Sequence, residues 1–189
     1  MRLDNVDLLL FCSWPIAELI FARFRTAGRA ESGGRDRGSF GILWAVFAVA
    51  LTLGFVLQTV PGPRLPLNLE SRSILALALL VLGLALRITS IAVLGRFFTV
   101  NVALHGGQTV VRSGPYRLIR HPSYTGALIA FLGVALLPGS WLSFGVIVIP
   151  IVLAFLYRIR VEERALIEGL GEPYREYCRS TRRLIPWIY

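Results

Sequence analysis

Charged residues and cysteines are scarce in this chain, and lysine is absent. Only 16% of its 189 residues are charged, all 20 basic residues are arginine, and there are two cysteines. Beside 55% hydrophobic residues, this composition excludes an ordinary soluble domain, and the length allows at most one or two domains. Cys12 and Cys178 lie in an apolar and a polar segment, so we expect no disulfide and no metal site.

What the chain has instead is long apolar blocks, five in number. They cover residues 6–24, 40–60, 73–94, 123–137 and 141–157. The second and third are long enough to span a bilayer, and the last two form a tight helical hairpin joined by residues 138–140. Glu18 and Arg87 lie inside blocks at compatible depths and could pair. The predicted fold class is all-α, a polytopic membrane protein with about five transmembrane helices.

The arginines indicate an orientation in the membrane. If all five blocks span, sixteen arginines fall on one side and three on the other. The positive-inside rule then places the N-terminus outside and the C-terminus in the cytoplasm, across the inner or plasma membrane if the source is bacterial. The net charge of +9 reflects loops near anionic lipid rather than nucleic-acid binding. The loop before the fourth block and the tail after the fifth therefore share one compartment.

Polar and aromatic residues are concentrated at the start of the fourth block and just before it, in the stretch Ser113–Gly126. Two arginines, a histidine, two tyrosines and two prolines stand there together. Pro122 disfavours helical geometry at His121 and suits the first position of the fourth helix. The unpaired amides at that helix start favour an anionic group. The alternative is an interfacial anchor, with Arg120 on lipid phosphate and the tyrosines in an aromatic belt.

A second charged stretch follows the fifth block without a helix breaker, so we expect the helix to continue. Arg158 and Glu162 are four residues apart and share a face, while Glu163 points about 100° away. The alternative is a solvated turn with a weak ion pair. Beyond it, residues 171–177 predict a short surface helix. The tail arginines are then expected to reach anionic lipid, and residues 184–189 to dip into the interface.

Four motifs follow one another in the second half of the chain. They are Gly114-Pro115-Tyr116, Arg120-His121-Pro122-Ser123-Tyr124-Thr125-Gly126, Glu162-Glu163 with Leu166, and Gly171-Glu172-Pro173-Tyr174. Together they resemble the isoprenylcysteine carboxyl methyltransferase family, and the related phospholipid methyltransferases share much of the pattern. The resemblance covers about residues 95–189. It divides the chain into N-terminal transmembrane helices, residues 1–94, and a catalytic cofactor-binding region, residues 95–189.

The resemblance implies an integral-membrane methyltransferase that uses S-adenosyl-L-methionine. It implies a cytoplasmic cofactor pocket formed by the last two helices, the preceding loop and the C-terminal tail. The implied acceptor is lipophilic, with a carboxylate of an isoprenylcysteine-like substrate as the leading choice. The expected partners are this acceptor and membrane lipids, not nucleic acid, and the oligomeric state is left open.

The resemblance also assigns roles to residues of this chain. Cofactor contacts fall on Asn101, Gln108, Thr109, Val110, Val111, Tyr116, His121, Pro122, Ser123, Tyr124 and Glu162. Arg120 and Arg158 match residues near the acceptor's carboxylate. The family often has histidine or lysine where this chain has Gln108.

Three other functions stay open on the sequence. A phospholipid amine acceptor such as phosphatidylethanolamine must lose a proton, for which Glu163 is the candidate base, whereas an ionised carboxylate needs none. A nicotinamide-dependent sterol-type reductase could share the C-terminal pattern but needs more phosphate-binding groups than the chain offers. A non-catalytic membrane binding protein would use the arginines to hold anionic lipid.

Overall fold

The computed structural model describes residues 38–98 and 109–189. Within these ranges the regular structure is helical, which confirms the predicted fold class. The five α-helices are α1 (Ser39–Val56), α2 (Leu69–Leu94), α3 (Pro122–Leu136), α4 (Trp141–Leu170) and α5 (Glu172–Ser180). Short 3-10 turns follow α1 and α2, and a third at Gly114–Arg117 precedes α3.

Three described segments are long and apolar enough to cross a membrane. They are Ser39–Thr59, Leu69–Leu94 and Trp141–Leu170, while α3 is apolar but only 15 residues long. These helices correspond to the second to fifth apolar blocks. The first block and Glu18, the expected partner of Arg87, lie outside the described residues. A membrane span over the first block and the Glu18–Arg87 pair therefore remain predictions. The boundary of the two predicted regions at residue 94 also remains a prediction.

Helices α2 and α3 approach each other backbone to backbone through glycine. A Cβ added at Gly83 would collide with the carbonyl oxygen of Gly126, and one at Gly126 with the carbonyl oxygen of Gly83. In a bilayer, lipid tails are as apolar as helix side chains, so the hydrophobic effect does not bring helices together. Close backbone packing of this kind drives helix association instead. Arg87 Nη1 also donates to Ser123 Oγ at 2.9 Å. The start of α3 is therefore fixed against α2.

Helices α3 and α4 form the predicted hairpin. Ser140 accepts a hydrogen bond from the Ser143 amide and begins α4. Around the hairpin, Phe47 of α1 packs against Phe131 at 4.5 Å and Phe155 at 5.5 Å between ring centroids. These aromatic contacts join α1 to both arms of the hairpin.

Helix α4 continues past its apolar part without a break, as predicted. Its 30 residues extend about 45 Å, well beyond a hydrocarbon core of about 30 Å. It ends at Leu170; the next residue, Gly171, has a φ of 65° that suits glycine, and α5 follows at once. The charged turns of α4 therefore stand at the membrane edge, beside the start of α3.

Candidate functional site

His121 joins the turn before α3 to the charged end of α4. Its backbone is non-helical (φ −123°, ψ 55°), and Pro122 begins the helix, as the sequence predicts. The buried imidazole places Nε2 3.4 Å from Glu163 Oε1 and Nδ1 3.8 Å from Glu162 Oε2. The predicted meeting of the His-Pro turn and the double glutamate is confirmed.

The two glutamates have different surroundings. Glu162 Oε2 accepts a hydrogen bond of 2.6 Å from the Tyr124 hydroxyl, and the Tyr124 ring stacks on His121 at 5.5 Å with an interplanar angle of 10°. The Glu162 side chain is 29% exposed, against 8% for Glu163. Glu162 is therefore the carboxylate of this pair that a dissolved molecule can reach.

Glu163 is enclosed by cationic side chains. Its Oε1 accepts from Arg120 Nε at 2.8 Å, and its Oε2 accepts from Arg183 Nε at 2.9 Å and lies 2.8 Å from Arg183 Nη2. A buried carboxylate requires such partners, because burial removes the water molecules that would otherwise stabilise its charge. Hydrogen bonding to Glu163 raises the pKa of Arg183 above its usual value.

The C-terminal tail lies along the His-Pro turn. The Arg120 amide donates to the Arg182 carbonyl at 2.7 Å, and the His121 amide donates to the Arg183 carbonyl at 3.0 Å. Arg120 Nη1 donates to the Thr181 carbonyl as well. The expectation that Arg183 reaches anionic lipid is thus wrong, because this guanidinium is bound to Glu163. No sequence spacing signals that contact, which crosses a helix end and a turn.

Tyr116 lies in the 3-10 turn that precedes the His-Pro turn, and α5 binds its backbone. Its carbonyl accepts a hydrogen bond of 2.7 Å from the hydroxyl of Tyr177. Burial, followed by the charge of Glu162, raises the pKa of the Tyr116 phenol above its usual value. Tyr116 therefore contributes a neutral phenol. Tyr174 on α5 is also buried, and burial raises its pKa in the same way.

The structure describes five of the other residues assigned to the cofactor. Thr109 is exposed and Val110 and Val111 are half-buried, while Pro122 and Ser123 are buried at the start of α3. Asn101 and Gln108 lie outside the described residues. The roles of all these residues remain predictions.

The two arginines assigned to the acceptor have different settings. Arg158, only 2% exposed, donates to Ser39 Oγ at the start of α1, and its guanidinium lies 6.0 Å from the Phe40 ring centroid. Arg120 is bound to Glu163 and to tail carbonyls. Sequence reasoning placed Arg158 one turn before Glu162 but gave no sign that α1 contacts it.

Comparison with known proteins finds matches that include His121, Glu162 and Glu163. The family model described as phospholipid methyltransferase matches residues 71–172. Protein-S-isoprenylcysteine O-methyltransferase B of Arabidopsis thaliana is 33% identical over 117 residues, covering 59% of this chain and 58% of that protein. Methanethiol S-methyltransferase of a Pseudomonas species is 27% identical over 198 residues, covering 92% and 75%.

One solved structure agrees with the sequence matches. The eukaryotic intramembrane Ras methyltransferase, isoprenylcysteine carboxyl methyltransferase, superimposes with a TM-score of 0.63 at 27% identity, over 77% of this chain and 52% of that one. The chain thus spans between 52% and 58% of the length of that structure and of the plant relative. The segment matched by the family model, residues 71–172, includes His121 and the two glutamates.

Proposed function

The chain belongs to the phospholipid methyltransferase family and is an integral membrane protein, and from this premise we propose that it methylates the carboxylate of an isoprenylcysteine-like acceptor, using S-adenosyl-L-methionine. The single observation that carries the proposal is the contact of His121 with both Glu162 and Glu163 at the membrane edge of α4. It supports one polar site built from separate parts of the chain beside apolar helices.

The side chains around His121 fit a cofactor that has an ammonium group, ribose hydroxyls and a flat base. Glu162 offers a partly exposed carboxylate held in place by Tyr124. Tyr116 adds a neutral phenol, and we propose that residues 109–111, in the segment before it, complete the pocket. We assign the ammonium or the ribose to Glu162, because a fixed carboxylate is a strong acceptor for both. When bound, S-adenosyl-L-methionine supplies an electrophilic methyl group on a sulfonium sulfur.

Arg158 is the residue to which we assign the acceptor's carboxylate. Its guanidinium can hold a carboxylate through paired hydrogen bonds, which fixes the direction of the attacking oxygen. It lies one turn before Glu162 on α4, beside the start of α1. Arg120 is the weaker candidate, because its donors are directed at a carboxylate and two tail carbonyls, whereas the acceptor would have to replace only a hydroxyl partner, that of Ser39, among those described for Arg158.

The environment of Glu163 favours an acceptor that needs no base. A general base must reach the proton that it removes. Glu163 is buried, and each of its two oxygens already accepts a hydrogen bond from a guanidinium. This arrangement argues against Glu163 as the base for a phospholipid amine. We further propose that the site faces the cytoplasm, where the arginine distribution places the tail.

A thiol acceptor is the second candidate. It is favoured by one observation: the methanethiol S-methyltransferase relative matches 92% of this chain and 75% of its own length. That match extends over more of both proteins than the match to the plant carboxyl methyltransferase. The carboxylate remains our first choice because of Arg158.

Methyl transfer from radiolabelled cofactor separates these acceptors. Purified protein in lipid nanodiscs is offered N-acetyl-S-farnesylcysteine, methanethiol or phosphatidylethanolamine. We expect a base-labile methyl ester on the farnesylcysteine. Arg158→Ala should reduce the rate at least about tenfold, since losing a charge-assisted hydrogen bond costs about 1.5–3 kcal/mol. Exposed Arg160, replaced by alanine, is the matched control. Labelling of phosphatidylethanolamine alone, or equal rates for both variants, contradicts the proposal.

A further inference from the structure

The charge of Glu163 is balanced from two directions. Arg120 binds Oε1 from the His-Pro turn, and Arg183 binds Oε2 from the tail. Arg183 places two nitrogens, Nε at 2.9 Å and Nη2 at 2.8 Å, on that one oxygen. Because Glu163 is buried, the loss of either cation leaves a charge that the protein must satisfy in another way.

If one of these cations were lost, His121 is the neighbouring side chain that could move toward Glu163. Its Nε2 lies 3.4 Å from Glu163 Oε1, and its Nδ1 lies 3.8 Å from Glu162 Oε2. The imidazole thus lies between the two carboxylates, and a movement toward Glu163 would draw it away from Glu162. The carbonyl of Arg183 also accepts the His121 amide at 3.0 Å. Arg183 therefore binds both the backbone of His121, through its carbonyl, and the carboxylate of Glu163, through its guanidinium.

From this geometry we propose that Arg183 is a positioning residue: by pairing with Glu163 it keeps His121 and Glu162 in the arrangement that receives the cofactor. The site is then incomplete without the C-terminal tail. This inference deepens the proposed function and rests on it only for the identity of the ligand. The geometric part, the effect of Arg183 on His121, does not depend on any ligand.

The tail supplies a matched control for this idea. Arg179 is another arginine of the same segment, and its Nη1 pairs with Glu172 at 3.0 Å on the exposed surface. A general effect of removing positive charge from the tail should be the same for Arg179→Gln and Arg183→Gln. A positioning effect should be specific to Arg183.

The test reads the His121 side chain directly. Protein labelled with ¹⁵N-histidine is placed in nanodiscs, and the His105→Asn substitution removes the other of the two histidines. We expect the ring nitrogen resonances of His121 to move in Arg183→Gln, to move less in Arg183→Lys, and to stay unchanged in Arg179→Gln. Lysine keeps the charge but lacks the two-nitrogen contact, so it also reports on the site if the glutamine variant folds poorly.

Binding of S-adenosylhomocysteine supplies the second readout. We expect the dissociation constant to rise about tenfold in Arg183→Gln, as for the loss of one charge-assisted contact. In a Glu163→Gln background the same substitution should have little further effect, because its partner charge is gone. If the wild type does not bind S-adenosylhomocysteine but the His121 signals still move in the Arg183 variants, the proposed function is refuted and the positioning role is supported. Unmoved His121 signals in both Arg183 variants overturn the positioning role.

Discussion

Replacing Arg120 by glutamine should release the C-terminal tail from the His-Pro turn. The Arg120 guanidinium binds Glu163 Oε1 at 2.8 Å and the Cys178 carbonyl at 3.2 Å, and it also binds the carbonyl of Thr181. Truncating one member of a buried ion pair costs about 3–5 kcal/mol. Arg183 still compensates Glu163, so we expect the lower end, about 3 kcal/mol. Each 1.4 kcal/mol is tenfold, and the tail should open about a hundredfold more often.

Hydrogen exchange measured by mass spectrometry detects this opening. The Arg120 and His121 amides donate to tail carbonyls, so peptides covering residues 118–125 and 181–189 should exchange about a hundredfold faster in Arg120→Gln. Peptides from α2 should be unchanged. The control is Arg117→Gln, since Arg117 is an exposed arginine three residues before Arg120. Equal exchange in the two variants would refute the reasoning that Arg120 joins the tail to α4.

Three further predictions concern packing, the tail and the thiol. Gly126→Ala should lower the melting temperature in detergent by several degrees, because its Cβ meets the backbone of α2, whereas Gly41→Ala, with open space, should not. Trp187, 84% exposed, should be quenched by lipids brominated near the headgroups, and Trp187→Phe should lose that signal. Burial raises the pKa of the Cys178 thiol, so its alkylation in a Cys12→Ser background should be slow at neutral pH. Its rate should keep rising at pH values where a free cysteine has levelled off.

Local rules were enough to predict several features of this fold. Pro122 fixed the start of α3, and the lack of a breaker after Tyr157 predicted that α4 continues to Leu170. The meeting of His121 with the double glutamate followed from the predicted topology, because a helical hairpin brings the segments before and after it to the same end. Helical geometry also gave the different directions of Glu162 and Glu163.

Other contacts depend on the packing of distant segments and carry no sequence signal. Arg158 binds Ser39, which is 119 residues away on a helix without any recognisable motif. Arg183 looked like a lipid-facing cation because its partner, Glu163, lies on α4, whereas Arg183 itself lies in the tail beyond α5. Which of the two glutamates is buried likewise depends on where the tail packs, and the helix alone does not determine it.

The central claim is that Glu162, held beside His121 and Tyr124, receives S-adenosyl-L-methionine. Calorimetric titration of the protein in nanodiscs with S-adenosylhomocysteine tests it most directly. The account predicts binding by the wild type, at least about tenfold weaker binding by Glu162→Gln, and unchanged binding by Glu176→Gln, a surface glutamate near Arg112. Binding of reduced nicotinamide dinucleotide instead, or equal affinity in both variants, would contradict it.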